Sequence, residues 1–536
     1  MPSPSVATIL RDHVSLSSSC IDRLYLNGYV PKLQSGGQVC AFLCDPLGNQ
    51  IPSPAAIRPL HDRFVQAVSA LADQYLVPVV PFERGQRKDD VAASYRARFR
   101  AAEGVVFIGV AQERQWSFKA TKHLTPPRAV HFSFSRQTVA VKQYYFYLQD
   151  AEWGPAFIKI GTYLPYPVRV CLNGHEWLKQ QLRKEAIPFE SLDNGFRWCA
   201  DADRLQHLAD ALGPAEVQAF FDRWLERLPW PLTAADRAAG YRHRLSIWQL
   251  ETSLTQVFTQ PVYGRQCFEA VIHDNLDLGR PDRVSLLFAT RLRRNTPPPD
   301  LGYKTRVITP GVAPGLHVEF KHAHVKQYFK QERALRTETT FNDPLDFQRT
   351  KGPETLPNLR AIGQQINARL LEVEQIADGS TPSPSRFERL QLPTVSPTGQ
   401  RVSALRFGDP RVQALFGALC RFSHLADGFR HRDLRPLVAG LLGRELATYS
   451  AGAMTYDLRR LRLHGMIARI AGTQRYTLTA TGVRAAFFYT TLHRRLCQVR
   501  PPSDAEDVPP PTPLRTALRQ LDSAVAHLWR IPEHAA

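Results

Sequence analysis

A chain of 536 residues is too long for one ordinary hydrophobic core, so two to four domains are expected. Its composition, 43% hydrophobic and 22% charged, fits a globular protein and excludes a disordered or fibrous one. The 68 Lys and Arg outnumber 49 Asp and Glu to leave +19, an excess spread along the chain that points to a polyanionic partner.

An acidic membrane surface is the competing partner, but no polybasic amphipathic helix or lipidation signal stands at either end, and no window has the apolar length of a bilayer span. The start, MPSPSVATILRDHVS, lacks a charged segment followed by an apolar run, so the expected location is the cytoplasm. The eight cysteines are scattered, with no C-x-x-C pair and no His at zinc spacing. Reduced core thiols are expected, without zinc or a disulfide framework.

In chain order, residues 20–50 read as short strands broken by glycines, DRLYLNGYV and GGQVCAFLCD. Helical spacing follows over 57–76, then a charged loop at 83–90 and a strand at 104–113. Residues 128–172 alternate as long strands that turn between Asp150 and Gly154. Asn173 then stands as an N-cap, with Glu176 at the third position of the helix that follows. Helices are expected over 201–228 and 263–279, strands over 243–258 and 283–292, a hairpin within 318–343 and an amphipathic helix over 357–377. A Pro/Ser-rich linker occupies 379–398, and a second Pro-rich break at 501–513 precedes a short helix.

The expected fold class is α+β: a multi-domain, mainly antiparallel-sheet body with covering helices, plus a C-terminal winged-helix domain. The expected divisions are 1–125, 126–240, 241–378, a linker 379–400, 401–500 and a tail 501–536. Residues 410–496 read as three helices, two strands joined by a Gly-containing turn and a closing helix, a pattern that resembles winged helices. In that family the third helix enters the major groove and the wing follows the backbone. The resemblance implies that Thr455, Arg459, Arg460 and Arg462 face DNA from the helix, and Arg469, Thr473, Gln474 and Arg475 from the wing. Residues 401–500 hold 17 Arg and no Lys against 5 acids, a surplus suited to bidentate contacts with phosphates and guanine edges. Protein contact or self-association is the alternative for this module.

The hairpin VEFKHAHVKQYFKQERALRTETTFND carries the main site expectation. Strand alternation puts Lys326, Tyr328, Lys330, Arg336, Glu338 and Asn342 on one surface. The cations Lys321, Lys326, Lys330 and Arg336, with Asn342, are candidate nucleic-acid contacts. Glu338 is a candidate ligand for Mg2+, and Tyr328 a positioning group or nucleophile. The competing reading is a well-paired sheet surface without chemistry. K-x-Y-x-K followed by L-R-x-E resembles hairpins of some rolling-circle replication initiators, but their His-hydrophobe-His metal motif is missing and no nicking tyrosine is carried over.

Three further groups are weighed the same way. Glu83, Arg84, Arg87, Lys88, Asp89, Asp90 and Glu113 could build a metal-dependent nuclease site or a solvated loop. Glu269, His273, Asp274 and Asp277 offer an i, i+4 ligand pair or an exposed helix face. The aromatics Phe132, Phe134 and Tyr144 to Tyr147, near Lys142 and Lys159, are base-stacking platforms or sheet core. The runs YYFYLQDAEWGPAFIKI, PVRVCLNGHEWLKQQL, SLDNGF and KQYFKQERALRTETTFND resemble those of a widespread bacterial family of uncharacterised proteins. That resemblance spans most of 20–495 and carries no activity, so it transfers no catalytic residue.

The expected function is nucleic-acid binding, DNA before RNA, with processing by a metal-dependent nuclease or strand-transfer enzyme of a bacterial mobile element or defence system. The alternative is a non-enzymatic DNA-binding regulator or an RNA-binding ribonucleoprotein component. No P-loop or dinucleotide fingerprint is present.

Overall fold

The computed structural model describes residues 6–498 apart from 46, 50, 84, 126–128, 278–303, 309–314, 321, 378–387, 396–398 and 423–427. The expected strand at 283–292, Lys321, most of the 379–398 linker and the tail beyond 498 lie outside the described residues. The chain forms two compact units, Asp12–Asn367 and Met1–Arg11 with Ala368–Ala536.

The larger unit is built on one sheet. Its strands are β1 (Val14–Tyr29), β2 (Val79–Pro81), β3 (Gly104–Thr125), β4 (Ala129–Asp150), β5 (Gly154–Gly161), β6 (Val168–Asn173), β9 (Arg244–Phe258), β10 (Lys304–Ile308), β11 (Gly315–Phe320), β12 (Ala323–Lys330) and β13 (Ala334–Phe341). The short strands β7 (Phe189–Ser191) and β8 (Phe196–Cys199) pair apart from it. Across the sheet the order is β10-β11-β12-β13-β9-β1-β6-β5-β4-β3-β2. Every neighbouring pair is antiparallel except β2 with β3. The protein is therefore α+β.

The divisions expected at 125/126 and 240/241 do not separate bodies. The first falls at the tip of the β3–β4 ribbon, and the second just precedes β9, which joins the two halves of the sheet beside β1. The long strand β1 makes this closure, pairing β6 on one edge and β9 on the other. Beyond Asn173 it outruns β6, and the side chain of Gln206 satisfies the exposed N–H and C=O of Ser19.

Local signals account for most elements. Asn173 caps the helix Gly174–Lys184 by accepting from the N–H groups of His175 and Glu176, as its sequence position implies. GGQVCAFLC, expected as a strand, is instead the helix Gly36–Cys44. Ser35 and Gln38 close a reciprocal capping box at its start, and Val39, Phe42 and Leu43 bury one face. Tyr144, Tyr145, Phe146 and Tyr147 are all buried, so these aromatics serve chiefly as core.

The smaller unit contains the helices Pro410–Phe422, His431–Leu441, Ala451–Leu463 and Ala480–Gln498. Its small sheet runs Phe429–Arg430, Arg475–Leu478, Ile467–Arg469. Leu415, Phe416, Leu434, Leu458, Leu461 and Tyr489 meet in its core.

Candidate functional site

A β-bulge decides what the hairpin faces. Ile21 pairs with Thr252 and Leu24 with Leu250, so Asp22 and Arg23 together oppose Glu251. Asp22 turns inward and is buried, while Arg23 stays exposed. On the neighbouring hairpin Tyr328 lies opposite Arg336 and Lys326 opposite Glu338, the register the alternation predicts.

Arg336 is fully buried and every side of its guanidinium is engaged. Its Nη2 donates to Asp22 and lies 3.0 Å from His175 Nε2. Nη1 donates to the Asn194 carbonyl at 2.6 Å and to Thr255 at 3.1 Å, and Nε donates to Glu338 Oε1 at 2.8 Å. The loop between β7 and β8 closes over this cluster, with Asn194 donating to Asp22 as well. Burial disfavours the Arg336 charge, but Asp22 and Glu338 outweigh it and hold its proton more firmly. Burial, reinforced by Arg336, keeps His175 neutral by pushing its pKa well below the usual histidine range.

The roles expected for the hairpin change accordingly. Arg336 has no N–H left for a phosphate and is a structural cation. Lys330, only 9% exposed in its side chain, bonds Asp193 at 3.2 Å and the Asn194 carbonyl at 3.3 Å, so it pins the same loop. Tyr328 donates to Glu338 Oε1 at 2.8 Å, and burial followed by the Glu338 charge raises its pKa, which keeps the phenol protonated and unsuited to act as a nucleophile. Glu338 thus spends one oxygen on Tyr328 and Arg336. Among the described residues no group of three or more His, Cys, Asp and Glu is placed to hold a metal ion. Asn342 is exposed and bonds Gln249 and the His322 carbonyl.

Beyond the locked cluster the same sheet face carries a row of half-buried side chains. Lys326 is half-buried, with Nζ 4.1 Å from the Tyr328 ring centre. Glu251 has its pKa pushed up to about 7 by burial and then by Asp22 and Glu338, against the pull of Arg23 and Lys326. Further along, the Arg169 guanidinium sits 3.8 Å over the Trp248 ring, and Tyr25 meets Trp248 edge-on at 5.9 Å.

The charged loop expectation resolves into a closed ion cluster. Glu113 accepts from Lys88, from Lys159 at 2.5 Å and from Tyr145 at 2.6 Å. Burial alone would raise its pKa, but these donors hold it down to about 2, so it is spent as a structural anion. Asp89 and Asp90 open the helix Lys88–Arg98, where negative charge suits the helix dipole. Glu269 is exposed on the helix Pro261–Asp277, while the side chains of His273, Asp274 and Asp277 lie outside the described residues.

In the smaller unit the helix Ala451–Leu463 sorts its residues by face. Met454, Asp457, Leu458, Arg460 and Leu461 are buried, whereas Thr455, Arg459 and Arg462 are exposed at spacings of four and three. Arg460, expected to face DNA, points inward and donates to the carbonyls of Ser403 and Ala404. Asp457 anchors the helix from within by accepting from Arg411 at 2.8 Å and from Tyr449. Of the strand residues, Arg469 is exposed and bonds the Thr473 carbonyl. Arg475 is half-buried and bonds the Gly428 carbonyl. Thr473 caps its own turn, and Gln474 is exposed.

No family model, curated protein or solved structure matches this chain. Sequence reasoning missed Asp22, His175 and Asn194, which are brought to Arg336 from 314, 161 and 142 residues away. A charged residue inside the apolar run CIDRLYL was the one local signal, since a buried aspartate requires a partner.

Proposed function

We propose that the protein binds nucleic acid and that its smaller unit is a winged helix whose third helix, Ala451–Leu463, addresses a duplex. One observation carries the reading: Thr455, Arg459 and Arg462 share the solvent face of that helix, while Asp457 and Arg460 are drawn inside. The exposed face is therefore cationic without a compensating carboxylate of its own element. Arg469 extends the positive charge along the strand pair, in a hundred-residue stretch with 17 Arg against 5 acids. Guanidinium groups reach both phosphates and guanine edges, and DNA suits a helix of this kind better than RNA, whose deep groove excludes it.

Binding is better supported than metal-assisted cleavage. Glu338 is engaged by Arg336 and Tyr328, and Lys330 and Arg336 are held by the protein itself. Titration of labelled duplex DNA and duplex RNA against salt tests the proposal. A steep fall of affinity with salt, reduced in Arg459→Ala/Arg462→Ala, is expected. Unchanged affinity in that variant would remove the basis of the reading. Incubation of either nucleic acid with Mg2+ or Mn2+ under binding conditions tests cleavage, and none is expected.

A further inference from the structure

We propose that the projecting β3–β4 ribbon is a second duplex-DNA contact, an arm that grips the phosphodiester backbone through Arg114, Lys119, Lys122 and Lys142. This rests on the nucleic-acid reading, but it assigns a different element, in the larger unit, that reads charge and shape in place of sequence.

The ribbon outruns its sheet. β2 pairs with β3 only as far as Val110, and β5 pairs with β4 only from Gln143 onward. Among the described residues, each ribbon strand beyond those limits pairs only with the other. From Ala111 to Thr125 that leaves an arm of about 45 Å at the usual rise of a strand. Its middle is buttressed on both faces. Phe118 and Phe134 are buried with Val39, Phe42 and Leu43 of the helix Gly36–Cys44. That helix comes so close that a Cβ on Gly36 would stand 2.0 Å from the Phe134 carbonyl oxygen, so only glycine permits the approach. On the other face Ser117 donates to the Leu164 carbonyl and Gln115 to the Tyr163 carbonyl. The arm is therefore held in position before a partner arrives.

The charge along the arm has one sign. Residues 114–142 contain six Lys and Arg and no Asp or Glu. Arg114, Lys119, Lys122, Arg136 and Lys142 are exposed, and among the described residues none of them forms an ion pair. Arg136 donates to Gln34 Oε1 at 2.6 Å and is left out of the proposed contact. The acids that flank this stretch are both occupied, Glu113 by Lys88, Lys159 and Tyr145, and Asp150 by Arg223 and Trp224. Near the root, Lys142 lies opposite Gln112, Arg114 opposite Ala140 and Trp116 opposite Thr138, and all six are exposed on one face. Further out, Lys119 and Lys122 take alternate faces. Beside the ribbon runs a groove of about 530 Å³ whose walls include His61, Lys119 and Lys142, and among the described residues no carboxylate lines it.

This pattern fits a duplex. The major groove of B-DNA admits a two-stranded ribbon, and cations on both faces then reach phosphates on either wall. Thr121 and Thr138, also exposed, add neutral hydroxyl donors for phosphate oxygens. The deep, narrow groove of A-form RNA does not admit such an arm. A lipid surface is a poorer match, because Trp116 and Leu124, the large exposed apolar side chains of the described ribbon, stand eight positions apart and form no continuous apolar face.

The test uses the full chain and labelled DNA duplexes of unrelated sequences, with fluorescence anisotropy across a salt series. Lys119→Ala/Lys122→Ala and Arg114→Ala/Lys142→Ala are each expected to weaken binding about five-fold or more, equally on every sequence, and to lower the slope of log affinity against log salt by about 1.8. Lys119→Arg/Lys122→Arg should keep wild-type affinity, and thermal melts of all three should match wild type because the side chains are exposed. Unchanged affinity and salt slope in both alanine variants would overturn the inference. So would vesicles of anionic phospholipid that bind wild type and lose those variants while duplex affinity holds. Either result would leave duplex recognition by Arg459 and Arg462 standing. Weakened binding in the ribbon variants but not in Arg459→Ala/Arg462→Ala would keep the arm and remove the helix reading. A wild-type chain that binds no duplex would overturn both.

Discussion

Arg336 in the sheet and Arg459 on the helix Ala451–Leu463 carry the same guanidinium in opposite surroundings. Arg336 is enclosed by Asp22, Glu338, His175 and the Asn194 carbonyl. Arg459 is exposed, with one N–H reaching the Gln400 side chain. In the first region positive charge is consumed in holding four strands and a loop together. In the second it is left on the surface, where a phosphate can take it up. A basic composition therefore says how much cationic charge a protein owns, not how much it can offer a partner.

The sharpest way to break this contrast is Arg336→Ala. Removing one partner of a buried ion pair strands Asp22 and Glu338, so a loss of about 3–5 kcal/mol in urea unfolding is expected. A stably folded variant that loses only nucleic-acid binding would place Arg336 among the functional cations after all. Arg460→Ala should cost about 1–3 kcal/mol, because the Ala404 carbonyl would lose the donor that Arg460 gives it, while the Ser403 carbonyl keeps His464. Its duplex affinity, compared at a temperature where it is folded, should not change. If affinity falls as far as in Arg459→Ala, the two faces of that helix have been assigned the wrong way round.

A smaller effect is expected from pH. Glu251 keeps its proton in the folded chain up to about pH 7, whereas an ordinary glutamate loses it near 4.5. Between those values the unfolded chain binds fewer protons, so stability falls as pH rises through the window, by on the order of 1–2 kcal/mol after solvent screening. Glu251→Gln should flatten that slope in thermal melts from pH 4.5 to 7, and an unchanged slope would assign it to other groups. The least effect on stability belongs to Arg459→Ala/Arg462→Ala, within about 0.5 kcal/mol of wild type. The same variant should lower the slope of log affinity against log salt by about 1.8 if each arginine meets one phosphate.

Much of the architecture was legible because the signals are local. The Asn173 cap, the Asp150 to Gly154 turn and the helical spacing within each helix of 410–496 each depend on residues only a few positions apart. Strand alternation likewise placed Lys326, Tyr328, Arg336 and Glu338 on one face, since side chains in a strand repeat every two residues. The same logic failed at GGQVCAFLC, where apolar residues suit a strand but the Ser35–Gln38 capping box starts a helix.

What the sequence determined by itself was most of the list of elements, the alternation of side chains along the hairpin strands, and the size of the cationic excess. The tertiary structure alone decided which cations remain available. A strand pattern cannot reveal that a bulge in β1 delivers Asp22 beneath Arg336, or that the loop carrying Asp193 and Asn194 closes over Lys330. Those partners are distant along the chain, and the desolvation that makes a buried arginine demand them exists only once the sheet has assembled.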